Sequence, residues 1–276
     1  MLHEDYFNKV YFRYWKSDSN VLPKAHVFAI HGLGGHSLWF DEAAKIFNKN
    51  SINFFSFDLP GFGQSKYPIG EITSYREWID TAKEVYQTFI QRFNIKLPIF
   101  VLGHSMGASI AILMSKDLRT NGWILSVPGF EGNKDTWPVT KVILPVLFKS
   151  ICKPKENILL PFGPEALTKN KETQLKIKKD PLRVVNINAS MFMQVYLLSK
   201  KSRYSHRFLI EPLLLLMSGN DIVCSNEAME SFFSVVKNKN KTKKIYSTAM
   251  HDLFVEDELE EIVTDIVSWI NEQIGS

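Results

Sequence analysis

Apolar and polar positions alternate over residues 5–15, which predicts an edge strand, and Ser17-Asp18-Ser19-Asn20 then reads as a turn. After it the pattern switches back and forth between two periods. Short continuous apolar runs at 26–30, 52–57, 98–102, 123–127 and 213–217 predict buried strands. Between them, residues 38–49 carry Leu38, Ala43, Ile46 and Phe47 at helical spacing. Residues 74–93 predict a longer amphipathic helix burying Ile79, Val85, Tyr86, Phe89 and Phe93, and residues 106–118 an alanine-rich one. A helix near 226–236, a strand near 244–246 and a final helix over about 255–273 complete the pattern. Strands that alternate with helices in this way imply an α/β fold with a mostly parallel sheet covered on both faces.

The alternation stops over residues 128–206, which hold prolines, lysines and several helix-like runs but no clear strand. We read 1–127 and 207–276 as one core and 128–206 as an inserted helical cap. Residues 128–205 contain 14 Lys or Arg against 6 Asp or Glu, a local balance of +8, which leaves −4 for the rest of a chain whose total is +4. The same stretch has apolar runs, Val142-Ile143-Leu144-Pro145-Val146-Leu147-Phe148 and Met191-Phe192-Met193 through Tyr196-Leu197-Leu198. These either pack on the sheet under a lysine-rich solvent face or rest on an anionic bilayer as a peripheral membrane contact.

Composition narrows the classes. A chain of 276 residues, 45% hydrophobic, is long enough for one large core, and its 20 Phe and 6 Trp are expected inside it. A net charge of +4 without basic runs interleaved with aromatics implies no nucleic-acid partner. The dense run from Lys237 to Lys244 reads as a solvated turn. Two cysteines, Cys152 and Cys224, make neither a disulfide framework nor a zinc pattern, so a reducing, cytoplasmic setting and no metal site are expected. Residues 1–15 lack the apolar region of a signal peptide. No apolar run approaches the ~20 residues of a membrane span, so at most surface attachment is expected.

The chemistry centres on Gly103-His104-Ser105-Met106-Gly107, set between a predicted strand and a predicted helix. A sharp strand-to-helix turn lifts the serine hydroxyl clear of the sheet, and side chains at the flanking glycine positions would collide. It also sets Ser105 at a helix N-terminus, which favours developing negative charge. A serine hydroxyl needs a base, and the base an acid to orient it, in the chain order Ser, Asp or Glu, His. Asp221 follows the strand at 213–217 through Ser218-Gly219-Asn220, and His251 is the one histidine with the right order and the right loop. His3, His26, His31, His36 and His104 precede Ser105, and His206 precedes Asp221. Asp58, at the end of an earlier strand, is the alternative acid; its other role would be to pin the turn before Gly61 and Gly63. Asp252, next to His251, is expected to point elsewhere.

Attack on an ester makes an alkoxide that needs preorganised N–H donors. Met106 supplies one, and the loop His31-Gly32-Leu33-Gly34-Gly35 the other, with Leu33 the best choice. A dinucleotide-binding G-x-G-x-x-G fails, because the third glycine position is Ser37. Gly32, Leu144, Phe192 and Cys224 are expected to contact substrate.

Together these residues resemble the monoacylglycerol lipase and lysophospholipase branch of the α/β-hydrolases, close to the serine aminopeptidase S33 group. His31-Gly32-Leu33-Gly34-Gly35-His36-Ser37 looks like its HGxGxHS loop, Asp58-Leu59-Pro60-Gly61-Phe62-Gly63-Gln64-Ser65 like its DxxGxGxS turn, and residues 103–107 like its GHSMG elbow. Ser218-Gly219-Asn220-Asp221-Ile222-Val223-Cys224 is similar to its acid loop, His251-Asp252 to its histidine loop, and Asp180-Pro181-Leu182 to a motif of its cap. The resemblance implies an α/β-hydrolase fold and hydrolysis of a glycerol or lysolipid acyl ester through an acyl-enzyme on Ser105, without metal or organic cofactor. By its place in the acid loop, Cys224 would sit near the acyl pocket and confer sensitivity to thiol reagents. A short-chain esterase or thioesterase, or a binding protein that keeps the fold with little turnover, are the other readings.

Overall fold

The computed structural model describes residues 1–17 and 22–275, so most of the turn expected at 17–20 lies outside the described residues. The chain opens on a hairpin of β1 (Leu2–Phe7) and β2 (Val10–Trp15). Its alternation predicts a single strand, but Asn8 turns the backbone at φ +55, a conformation Asn tolerates better than most residues. Then follow β3 (Ala25–Ile30), α1 (Asp41–Lys49), β4 (Ile52–Phe57), α2 (Tyr75–Arg92), β5 (Ile99–His104), α3 (Met106–Met114) and β6 (Gly122–Ser126). Strands β3 to β6 are buried at every position, as the continuous apolar runs require. Ser74 caps α2 by accepting from the Arg76 N–H at 3.3 Å.

Between β6 and the next strand of the large sheet lie α4 (Leu144–Cys152), β7 (Asn157–Leu159), α5 (Pro164–Leu167), α6 (Lys171–Lys179), β8 (Asn186–Asn188) and α7 (Ala189–Arg203). The expectation of no strand here is corrected: β7 and β8 pair antiparallel, with Ile158 opposite Ile187. Each has three residues, too few to leave a periodic signal. The chain closes with β9 (Leu213–Ser218), α8 (Asn226–Val235), β10 (Lys241–Tyr246) and α9 (Leu259–Gly275).

The eight-stranded sheet has the order β1-β2-β4-β3-β5-β6-β9-β10. Strands β4 through β10 in that order run parallel, and β1 and β2 run antiparallel at one edge. At the other edge, Lys241, Lys243 and Lys244 stand within β10, which corrects the turn reading for residues 241–244, while 237–240 form the connection before the strand. Lysines on an edge strand discourage pairing with another chain, and the Lys243 ammonium is held by Glu230 at 2.6 Å. Many of the phenylalanines fill the space between sheet and helices. Phe55 stacks on Phe28 at 5.3 Å and meets Phe89 of α2 at 4.3 Å between ring centroids, all three with no exposed surface. The loops after β3, β5, β9 and β10 gather at the carboxyl edge of the parallel strands, where open α/β sheets bind ligands.

Candidate active site

Ser105 stands at φ +53 and ψ −114, directly between β5 and α3. A non-glycine residue there is strained, and the neighbours force it. The chain passes so close to itself that a Cβ on Gly107 would lie 2.1 Å from the Ile30 carbonyl oxygen, and one on Gly103 would lie 2.5 Å from Ala108 Cα. The Ser105 N–H donates to the Ser126 carbonyl at 2.8 Å, which ties the elbow to β6.

From Ser105 a chain of hydrogen bonds runs inward. His251 Nε2 is 3.0 Å from Ser105 Oγ, and His251 Nδ1 is 2.8 Å from Asp221 Oδ2. Asp221 Oδ1 accepts from the N–H groups of Val223 and Cys224, each at 2.8 Å. The carboxylate is therefore fixed from behind and has one oxygen free for the imidazole. With Asp221 accepting at Nδ1, that nitrogen carries the proton and Nε2 can accept the one on Ser105. Burial pulls the His251 imidazole down, but the charge and hydrogen bond of Asp221 outweigh it and leave the ring above its ordinary 6.5.

Asp58 does not join this chain. Its Oδ1 accepts from Ser37 N and Oγ at 2.8 and 2.5 Å, and its Oδ2 accepts from Gln64 N at 2.7 Å. It organises the turn before Gly63 and holds the loop after β3. Asp252 does not join the chain either: it lines the cavity beside His251, its Oδ1 accepts from Phe254 N at 3.1 Å, and its Oδ2 lies 3.5 Å from His104 Nε2. Burial raises the Asp252 carboxyl to about 6 and drives the His104 imidazole well below its ordinary range.

The loop after β3 lies against the nucleophile, since a Cβ on Gly32 would come within 3.1 Å of Ser105 Cβ. His31 sets its orientation. The Leu59 N–H donates to His31 Nε2 at 3.0 Å, so the proton is on Nδ1, which donates to the Gly32 carbonyl at 2.8 Å. Burial holds this imidazole at about 4 and hence neutral. In a trans peptide the Leu33 N–H points opposite to the Gly32 carbonyl, and every described peptide is trans. Anchoring that carbonyl therefore turns the Leu33 N–H the other way. The role of His31 was not read from the sequence; the signal available was its position directly after β3.

Above Ser105 opens a cavity of about 280 Å³, lined mainly by apolar groups. Gly32, Leu33, Ser105, Met106, Leu144, Phe192, Cys224 and His251 all line it. Asp221 does not, being screened behind His251. Sequence reasoning missed Trp137, Leu147, Phe162 and Val195, which also line the cavity; apolar residues in residues 128–206 carry no sign of which face they cover. Cys224 is buried, and burial, reinforced by the Asp221 charge, pushes its thiol well up. Asp221, Cys224 and His251 offer ligand atoms within 4.8 Å of one another. Those of Asp221 and His251 are already engaged in the hydrogen bonds above.

Residues 128–206 hold each of the site's loops. Asn133 N donates to the Val223 carbonyl at 2.9 Å and Trp137 Nε1 to the same oxygen at 3.0 Å, next to the acid. The Asp252 N–H donates to the Leu167 carbonyl of α5 at 2.8 Å, beside the base. Glu256, buried, ties the same region together by accepting from Met250 N at 2.6 Å and Thr168 Oγ1 at 2.8 Å. A hydroxyl and an imidazole facing an apolar cavity, with a carboxylate holding the imidazole from behind, are equipped for acyl transfer.

Residues 22–258 match the family described as serine aminopeptidase, S33. The monoglyceride lipase of Homo sapiens is 30% identical over 266 residues, 94% of this chain and 84% of that protein. The phospholipase YtpA of Bacillus subtilis is 25% identical over 256 residues, 90% of this chain and 94% of that protein. Among solved structures, a soluble variant of monoglyceride lipase from Saccharomyces cerevisiae, in complex with a substrate analog, superposes with a TM-score of 0.86 at 18% identity, covering 99% of this chain and 95% of that one. With a mostly parallel sheet of this order and a family match across most of its length, the chain belongs to the serine aminopeptidase S33 family of α/β-hydrolases.

Proposed function

We propose that the protein hydrolyses the acyl ester of a single-chain lipid, a monoacylglycerol, through an acyl-enzyme on Ser105. The observation that carries this reading is the continuous chain from Asp221 through His251 to Ser105, 2.8 and 3.0 Å per link, opening on an apolar cavity. Ser105 Oγ attacks the ester carbonyl carbon while His251 Nε2 takes its proton. The N–H groups of Leu33 and Met106 receive the oxyanion, the latter at the N-terminus of α3. The tetrahedral adduct then collapses: the carbonyl–alkoxy bond breaks and the imidazolium protonates the departing glycerol oxygen. Water, deprotonated by His251, attacks the acyl-enzyme, and Ser105 recovers its proton as the fatty acid leaves. Every step is carried by side chains and backbone, with no metal or organic cofactor.

We divide the chain into a core of 1–127 and 207–276 and a cap of 128–206 that bounds the acyl site. Leu144, which is 54% exposed, lines the cavity, and Phe148 and Ile151 on the same helix are 68% and 76% exposed. This apolar rim, with Lys141 before the helix and Lys149 and Lys153 sharing the single carboxylate of Glu156, supports a cap that rests on an anionic bilayer and admits acyl chains. None of the described helices is long and apolar enough to cross a membrane. Two unpaired cysteines, one exposed and one buried, support a reducing, cytoplasmic setting.

A lysophospholipid is the second candidate substrate, favoured by Lys134 and Lys200 on the cavity lining, which suit a phosphate. Initial rates on 2-oleoylglycerol, oleoyl-lysophosphatidylcholine, p-nitrophenyl butyrate and p-nitrophenyl oleate separate the readings. The glycerol ester is expected to give the highest kcat/KM. A preference for butyrate would overturn the long-chain assignment.

A further inference from the structure

The conspicuous cap segment Asp180-Pro181-Leu182 has no part in the mechanism above, yet it grips the loop that carries Leu33. Asp180 closes α6, and its Oδ1 accepts from the Leu182 N–H at 2.9 Å. Its Oδ2 receives two donors from the loop region, His36 Nε2 and Trp39 Nε1, each at 2.7 Å. Four residues on, the Val184 N–H donates to the Gly34 carbonyl at 3.0 Å. The two backbones touch there, since a Cβ on Gly34, at φ +81, would lie 2.7 Å from the Val184 carbonyl oxygen.

His36 makes the case sharper. Its ring is 1% exposed, and Nδ1 is buried without a partner, so Asp180 is the ring's one hydrogen-bonding contact. A buried imidazole with one orphaned nitrogen is retained at a cost, which points to a requirement for the other nitrogen's bond. The carboxylate suits three donors. Burial pulls Asp180 upward, but the bonds from His36 and Trp39 outweigh it and hold the group at about 2, ionised at any working pH.

The N-terminal side of Leu33 is held by the bond from His31 to the Gly32 carbonyl. Its C-terminal side is held at Gly34, His36 and Trp39, all by residues 180–184. We propose that Asp180 is a positioning residue of the oxyanion hole, clamping the 34–39 segment so that the Leu33 N–H meets the developing alkoxide. The proposal rests on the hydrolase reading and extends it to a residue of the cap.

The isosteric Asp180→Asn exchange tests it. An amide offers one acceptor oxygen and sets its NH2 against either Leu182 N–H or the His36 and Trp39 donors, so the clamp loosens without a change in volume. On p-nitrophenyl oleate the expected result is a loss in kcat of roughly 10- to 100-fold with KM within about twofold, since a displaced donor forfeits part of the 10²–10³ a hole donor supplies. Affinity for a long-chain alkyl trifluoromethyl ketone, whose adduct places an oxyanion in the hole, falls by the same factor as kcat/KM. Affinity for oleyl alcohol, which fills the acyl site without an anionic oxygen, is unchanged. Trp39→Phe removes one of the loop's two donors to Asp180, and because the ring also lines the cavity the variant is read by ketone affinity falling more than oleyl alcohol affinity, an equal fall counting against the proposal; it keeps the test open should Asp180→Asn fold poorly. The proposal is overturned if Asp180→Asn folds with wild-type kcat, or if kcat and KM change together with ketone and oleyl alcohol affinity falling alike, the mark of a merely structural role. Wild-type hydrolysis that survives Ser105→Ala would instead remove the hydrolase reading beneath it.

Discussion

Asp221→Asn changes one atom, and its effect follows from the partners of that carboxylate. Oδ1 accepts two backbone N–H groups, from Val223 and Cys224, both at 2.8 Å. The amide that replaces it keeps its oxygen there, because the NH2 group would face two donors. Its nitrogen is then turned to His251 Nδ1, 2.8 Å away in the native site. A donor facing Nδ1 forces that nitrogen to accept and moves the ring proton to Nε2. Nε2 can then no longer take the proton of Ser105. The same exchange in a serine hydrolase triad lowers kcat by about 10⁴, some 5.5 kcal/mol in the barrier. The pH profile should move as well. In the native protein the base is raised above 6.5, so kcat/KM increases with pH and its acid limb lies above that value. Without the Asp221 charge, burial dominates and the midpoint falls. Rates on p-nitrophenyl oleate between pH 5 and 9, with circular dichroism to verify folding, read both effects. An Asp221→Asn protein that retains a tenth of native kcat, or keeps the native midpoint, would refute the assignment of acid and base.

Gly107→Ala is expected to abolish soluble expression or activity, because the added methyl would lie 2.1 Å from the Ile30 carbonyl in a buried turn; near-native activity in purified Gly107→Ala would contradict the packing described. N-ethylmaleimide is expected to inactivate slowly near pH 7 and faster at higher pH, since Cys224 lines the cavity but burial keeps its thiol protonated. Cys224→Ala should confer resistance, and unchanged inactivation in that variant would assign the effect elsewhere, with exposed Cys152 the first candidate. The paired exchange of Phe148 and Ile151 to Ser should weaken cosedimentation with anionic vesicles while leaving hydrolysis of p-nitrophenyl butyrate intact. Native binding that is equal with and without anionic lipid would remove the electrostatic part of the membrane reading.

Much of the sheet was legible because β3, β4, β5, β6 and β9 are buried at every position, and burial on both faces leaves continuous apolar runs. Ser105 was legible because its strained turn demands glycine at fixed offsets, and Asp221 and His251 because chain order and strand ends leave few competitors. The edges were harder to read. The turn at Asn8 lies within one alternating run, three of the six residues of β10 are lysine, and β7 and β8 bury too little to show a period. Least visible were the contacts that hold the loops: His31 on the Gly32 carbonyl, Glu256 between Thr168 and Met250, and Asp180 on His36. The bonds of Asp180 to His36 and of Glu256 to Thr168 join residues far apart in the chain, and those of His31 and Met250 are local but polar, so none of them leaves a mark on the apolar spacing.

A fluorophosphonate forms a stable covalent adduct only with an activated serine, so intact mass and peptide mapping of the labelled protein address the nucleophile without any choice of substrate. One adduct per chain is expected, on the peptide that contains Ser105, and Ser105→Ala should lose both the label and ester hydrolysis. Stoichiometric labelling at another residue, or hydrolysis that persists in folded Ser105→Ala, would show that the reaction takes place elsewhere.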